Sequence, residues 1–357
     1  MNQCLPLRGR WREAPHDGCL LSSVLCPLNS GFTLIELLLV VAILSAAALA
    51  AFSFAADDRS QVRMEDTHNR LLALRRAVLG VEAPAYGGEM RLSGFVADNG
   101  MLPETVAELV KPDSFLEKAG IPAAYSSTLD DDCVQNSPAS LGGTAILLKG
   151  HRGNYLNGLT RNNTFRDGWG NVAASTTTPP GDDNFGWLVN NASTDHLSIT
   201  SLGADNVSDT PGVENDLDAE DDQTMQIEPA DWLIPLAGWQ VTVKNRSATN
   251  LDLSTGNVSA ALLVFRNIGT NGQWLRFNSA DNNGCAITLA QGEQCALTFN
   301  QITCGSSTEA RSIPSGRHLL VLLKDTDLYK NSDNTPVTAQ PLFYPHADRP
   351  AITLEIR

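Results

Sequence analysis

The sequence is short of charge. Only 18% of its 357 residues are Asp, Glu, Lys or Arg, against roughly 25% in soluble domains. Basic charge is scarcer still: 25 Lys and Arg face 40 Asp and Glu, for a net −15. A nucleic-acid-binding surface needs clustered Lys and Arg, so no nucleic-acid partner is expected. The seven cysteines include no C-x-x-C pair, which excludes the common zinc and thioredoxin-like patterns. G-x-S-x-G, H-E-x-x-H, a Walker loop and G-x-G-x-x-G are all missing. The six histidines are scattered, and His318, inside a strand-like run, fits packing better than catalysis. An enzyme is not expected. Long apolar runs are missing except in one place, which excludes a polytopic membrane protein.

That one place is residues 32–56, FTLIELLLVVAILSAAALAAFSFAA, with Glu36 as its single charge. About 20 apolar residues span a bilayer as a helix, so this segment is predicted to be transmembrane. A signal peptide has a shorter apolar region, about 7–15 residues, ending in a small-residue cleavage site. A carboxylate in hydrocarbon costs about 2.5–3.5 kcal/mol on insertion scales. Glu36 is therefore read as functional and in need of a partner.

The stretch GFTLIELLLVVAIL, Gly31 to Leu44, resembles the cleavage and methylation motif of type IV prepilins and type II secretion pseudopilins. The resemblance implies that a prepilin peptidase/N-methyltransferase cuts after Gly31 and methylates the new N-terminal Phe32. It also implies that Glu36 pairs with the N-terminal ammonium of a neighbouring subunit during assembly. Opposite charges in a low-dielectric bundle relieve each other's unpaired-charge penalty. The implied partners are other pilin-like subunits and an inner-membrane assembly platform. Two features depart from the family. The leader is 31 residues long, and Ser30 stands where Lys or Arg is usual, with Arg8, Arg10 and Arg12 further upstream. Processing would remove Cys4, Cys19 and Cys26 and leave a chain of −16, with 22 basic and 38 acidic residues.

No Gly or Pro interrupts residues 32–79. One helix is predicted there, about 72 Å long at 1.5 Å per residue, stopped by Gly80 and Pro84. Leu71, Leu74 and Val78 recur at helical spacing and mark its buried face. The segment GFVADNGMLPETVAELVKP, 94–112, is similar to a stretch of major pseudopilins, matching at Asp98, Asn99, Gly100 and Pro103. Its Asn-Gly reads as a turn, and PETVAELV as a short helix with Pro at its first position. Both are taken as scaffold. TAILLKG, 144–150, reads as a strand.

RDGWGN, 166–171, resembles the family's D-P-W-G-N-P, with Gly168 in place of the proline. Ser201 to Asp205 match the S-L-G-A-D that leads into a calcium-binding acidic loop in major pseudopilins. By that resemblance the calcium ligands are the Leu202 carbonyl and the side chains of Asp205, Asp216 and Asp218, with Glu214 a rival. Calcium takes six to eight oxygens, and its role here would be structural. A solvated acidic linker accounts for the same run of acids, and the two readings stand side by side.

About 130 further residues carry seven apolar runs from WQVTV (239–243) to AITLEI (351–356), separated by turn-rich segments. That spacing predicts an antiparallel β-sandwich. CAITLAQGEQCALTF, 285–299, reads as a hairpin. Cys133 lies in DDDC, where the neighbouring acids raise its pKa and favour a disulfide over a nucleophile. Of the pairings open to Cys133, Cys285, Cys295 and Cys304, Cys285 with Cys295 or Cys304 is favoured.

The expected fold is α+β. A long N-terminal transmembrane and amphipathic helix packs on a pilin-like β head, and an antiparallel sandwich follows. The expected divisions are a leader (1–31), the helix (32–80), a head with an acidic loop (81–222) and a β-sandwich-like domain (223–357). The function implied by the resemblance is a structural subunit of a periplasmic pseudopilus in type II secretion, held in the bacterial inner membrane. A minor type IV pilin with an adhesive or substrate-binding β head is the alternative.

Overall fold

The computed structural model describes residues 33–84, 90–110, 147, 149–151, 154–156, 164–172, 184–191, 195–205, 222–253, 258–268, 271–279, 288–299, 302–304, 307–309, 312–324, 327–344 and 349–357. For 51–58, 82–84, 90–91, 266–268, 271–274, 302–304 and 307–309 the description is of the backbone alone. The chain divides into two compact units, Met1–Asp58 and Arg59–Arg357. Its elements are a few helices and many strands, mostly antiparallel: an α+β chain with an N-terminal helix.

Helix α1 runs unbroken over Leu34–Leu79, as the lack of Gly and Pro predicts. Among the described residues of the first unit its large apolar side chains are exposed: Leu34 is 80% exposed, Leu44 62% and Leu49 72%. Among the described residues no helix is long and apolar enough to cross a membrane. The described side chains of this stretch stop at Ala50, before the end of the span expected at 32–56.

In the second unit the same helix turns amphipathic. Thr67, Leu71, Leu74, Ala77 and Val78 are buried at spacings of three and four. Fully burying a Leu or Val stabilises by about 1.5–3 kcal/mol, so this stripe fixes which face of the helix meets the core. Gly80 ends the helix at φ +90°, its N–H donating to the Arg76 carbonyl at 2.8 Å. A Cβ on Gly94 would sit 2.4 Å from Gly80. Two glycines in contact are what let the returning chain approach the helix end.

That return is a hairpin, β1 (Val81–Pro84) with β2 (Met90–Ser93). Helix α2 (Phe95–Asn99) follows, buried at every residue and closed by Gly100 in the left-handed conformation. Asn-Gly is thus a helix stop. The next helix, α3 (Ala107–Val110), begins four residues after Pro103, later than expected: residues 104–106 are turns and bends that lead into it. Of the strand expected at 144–150, the described residues 147, 149 and 150 are not strand.

A three-stranded antiparallel sheet carries β3 (Trp187–Asn190), β4 (Leu197–Ser201) and β5 (Thr224–Ile227) in that order. A one-turn helix, α4 (Pro229–Trp232), leads on to β6 (Leu233–Pro235). Beyond it, β7 (Trp239–Asn245) is flanked by β12 (Gln294–Phe299) and β21 (Ile352–Ile356). The β7–β21 pairing is parallel, so this part is not purely antiparallel.

A second large sheet has the order β10 (Asn271–Asn278), β9 (Val258–Ile268), β17 (Leu319–Lys324), β18 (Asp327–Leu328), with β19 (Thr338–Ala339) also on β17. Short pairs complete the set. They are β8 (Leu251–Asp252) with β11 (Thr288–Leu289), β13 (Ile302–Cys304) with β14 (Ser307–Glu309), β6 with β15 (Ser312–Pro314), and β16 (Gly316–Arg317) with β20 (Leu342–Phe343).

The apolar runs ALLVF and LLVLL explain how the second unit holds together. Successive strand residues face opposite sides, and here both sides are covered. Ala260, Leu262, Val264, Leu320 and Leu322 enter one core with Trp239, Val241 and Phe299. Ala261, Leu263, Phe265, Leu319, Val321 and Leu323 enter the other core, which also holds Leu71, Leu74, Phe95 and Trp187. Strands buried on both faces read as continuous apolar runs rather than alternating ones. One sheet therefore serves as a wall of both cores.

Candidate functional site

At the head of α1, Thr33 and Glu36 close a reciprocal cap. The Thr33 N–H and hydroxyl donate to Glu36 Oε2 at 2.9 and 3.0 Å, and the Glu36 N–H donates to Thr33 Oγ1 at 3.3 Å. This is a capping box, which satisfies backbone donors that a helix start leaves unpaired. The expectation singled out Glu36 for its charge. The T-x-x-E spacing was the signal for its second role, as a cap. Gly31 and Phe32 lie outside the described residues.

The second constellation gathers around Asp167, which is 3% exposed. Its Oδ1 accepts the N–H groups of Gly170 and Asn171 at 2.8 and 3.0 Å. Its Oδ2 accepts the Asn171 amide at 2.8 Å and the Ser201 hydroxyl at 2.7 Å. The Asn171 amide also donates to the Gly203 carbonyl at 2.9 Å. One buried carboxylate thus closes the 167–171 loop on itself and ties it to the end of β4. Hydrogen bonds to an ionised acceptor are worth about 1.5–3 kcal/mol each.

The same loop grips α1. The Gly168 N–H donates to Thr67 Oγ1 at 3.0 Å, and a Cβ on Gly168 would lie 2.3 Å from the Arg63 carbonyl. The Arg63 guanidinium stands 5.6 Å over the Trp169 ring. Arg70 donates to the Arg166 carbonyl at 2.8 Å and pairs with Asp66 at 2.9 Å. On the far side Gly186, at φ +90°, packs against Asn171, and a Cβ there would come within 2.6 Å of the Asn171 main chain. The sequence flagged RDGWGN and SLGAD separately. Their junction through Asp167, and the grip of Gly168 on Thr67, depend on contacts that local pattern does not carry.

Of the expected calcium ligands, Leu202 is buried, Asp205 is exposed, and Asp216 and Asp218 lie outside the described residues. Asp167 is not a spare ligand, because both its oxygens are engaged. Among the described residues no group of three or more His, Cys, Asp or Glu side chains is placed to hold a metal ion. Of the expected ligands the described residues therefore include only Leu202 and Asp205, against the six to eight oxygens that calcium takes. Cys295 is disulfide-bonded; Cys133 and Cys285, and the side chain of Cys304, lie outside the description.

Comparison with protein families matches residues 27–52 to the prokaryotic N-terminal methylation motif. The N-terminus is type IV pilin-like. The match spans the Gly31–Phe32 junction, the capping box and the exposed apolar turns of α1. It indicates processing by a prepilin peptidase and assembly with other pilin subunits. Type IV pilin-like proteins are structural subunits, not enzymes. No curated protein and no solved structure matches this chain.

Proposed function

We propose that this pilin-like chain is a subunit of a periplasmic pseudopilus in type II secretion, anchored in the inner membrane until the N-terminal helix draws it into the filament. The observation that carries the reading is the methylation motif at the head of a helix whose apolar side chains, Leu34 through Leu49, are exposed. So much uncovered apolar surface marks a segment that lies against lipid or other chains. Asp98-Asn99-Gly100, Asp167 to Asn171 and Ser201 to Asp205 favour the secretion branch over the pilus branch, because all three resemble major-pseudopilin motifs.

Glu36→Ala tests the reading. The variant should insert into the membrane and be cut at Gly31–Phe32 but fail to enter filaments, as read by crosslinking in intact cells. Normal incorporation would sink the assembly role. Co-purified secretion pseudopilins support the pseudopilus, whereas co-purified type IV pilins favour a minor pilin. Residues 223–357, an addition to a pilin-sized head, favour that second reading.

Calcium belongs to the same reading. The acidic loop from Asp205 to Asp218 would take the ion and stop repelling itself. A purified chain should then melt at a higher temperature in calcium, and Asp205→Ala should abolish the gain. No shift would favour a solvated linker.

A further inference from the structure

Where residues 314–318 meet α2, ionisable side chains are buried. His318 is 1% exposed. Its Nε2 lies 2.7 Å from the Pro314 carbonyl; a carbonyl only accepts, so Nε2 carries the proton. Nδ1 is buried with no hydrogen-bond partner among the described residues and holds a bare lone pair. Lys149 is 5% exposed and donates from Nζ to the Ala97 carbonyl of α2 at 2.7 Å. Gly316, at φ +133°, packs on the same residue: a Cβ there would lie 2.9 Å from the Ala97 oxygen. Ala97 is thus held from one side by Lys149 and from the other by the segment that carries His318.

The surroundings decide the electrostatics. From the 147–151 segment comes the Lys149 ammonium, whose charge acts on the ring; His151, on that segment, is committed to the Glu108 carbonyl at 3.3 Å. From α2 comes Asp98, buried and accepting the Tyr155 hydroxyl at 3.2 Å. β20 contributes the Phe343 ring at 5.7 Å. Half-buried Arg317 precedes the histidine on its own segment. Burial first, and the Lys149 charge second, hold the ring neutral and push its pKa down to about 3.

We propose that this seam is an acid-opened latch: a proton on His318 Nδ1, set against the buried Lys149 ammonium, releases residues 314–318 from α2. Nδ1 meets solvent only when the segment lifts, so lifting and protonation are one coupled step. The sign follows from linkage. A histidine whose pKa is depressed in the closed state keeps that state stable above its open-state pKa of about 6.5, and the stability is lost as pH falls toward 3. Between pH 7 and 5 the opening constant should rise about 25-fold for an open-state value near 6.5. The latch is independent of filament assembly.

The test is hydrogen exchange by mass spectrometry on the full chain in detergent micelles, corrected for the intrinsic pH dependence of exchange. Peptides covering 95–99 and 313–319 should lose protection together between pH 7 and 5, while 239–245 stays protected. His318→Gln, which can still donate to the Pro314 carbonyl, should keep the seam closed at pH 5. An unchanged pH response in that variant, or simultaneous loss at 239–245, overturns the latch. NMR titration of the wild-type ring is the second arm, in case the variant does not fold. A ring that titrates near 6.5 with the seam still protected also overturns it.

Discussion

Gly168 is where the chain departs from the D-P-W-G-N-P stretch that RDGWGN resembles, and the structure says that a proline there would harm it. A Cβ on residue 168 would stand 2.3 Å from the Arg63 carbonyl, 2.8 Å from Thr67 Oγ1 and 3.0 Å from the Thr67 nitrogen. Two of the three obstacles are helix backbone, which cannot swing aside. Contact at an ordinary distance requires the loop to back away by about 1 Å, since an unstrained carbon contact is roughly 3.5 Å or more. That retreat breaks the 3.0 Å bond from Gly168 to Thr67. It also strains the bonds that Asp167 accepts. Overpacking costs about 1–3 kcal/mol, and the lost hydrogen bond adds about 0.5–1.5 kcal/mol.

Gly168→Ala should therefore destabilise the head by roughly 2–4 kcal/mol. Gly168→Pro should do at least as badly, because it also removes the N–H. Gly170→Ala is the control: its Cβ would meet nothing within 4 Å, and only its φ of +83° opposes the change, at about 1–2 kcal/mol. The assay is urea unfolding of residues 59–357, with midpoints compared at constant m. Thr67→Ala should not rescue Gly168→Ala, because the nearest obstacle is the Arg63 carbonyl. A Gly168→Ala midpoint equal to wild type would refute the clash, and so would a Gly168→Pro variant more stable than wild type.

Other outcomes follow from the same contacts. Asp167→Asn keeps the shape but sets an amide against the Asn171 amide and the Ser201 hydroxyl, with loss of about 2 kcal/mol; a calorimetric melt equal to wild type would count against the hub. Peptide mapping should find Cys295 joined to Cys285. Reduction should then cost about 2.5 kcal/mol for a loop of roughly ten residues, and a Cys285–Cys304 linkage would contradict this.

The long helix was legible because its determinants are local. Residues 32–79 contain no breaker, and Leu71, Leu74 and Val78 repeat at the period of one helical face. Glu36 was legible as an unusual charge. Its bond to Thr33 was legible in principle too, since a capping box is a four-residue pattern. The helix expected from Pro103 arrived late, because proline permits a helix start without compelling one. The strands beyond 239 announced themselves as apolar runs, but not their partners. The parallel pairing of β21 with β7 joins positions more than a hundred residues apart, and no local period encodes that.

By itself, then, the sequence determined the processing motif, the continuous helix and its amphipathic half, each written within a few turns of chain. Only the tertiary structure decided that the sheet holding β9 and β17 is a wall of both cores. Only it could decide that Asp167 ties RDGWGN to SLGAD, or that His318 lies against the charge of Lys149. These depend on which distant surfaces exclude water together. Apolar pattern says that a residue will be buried, but the packing of the whole chain selects what it is buried against.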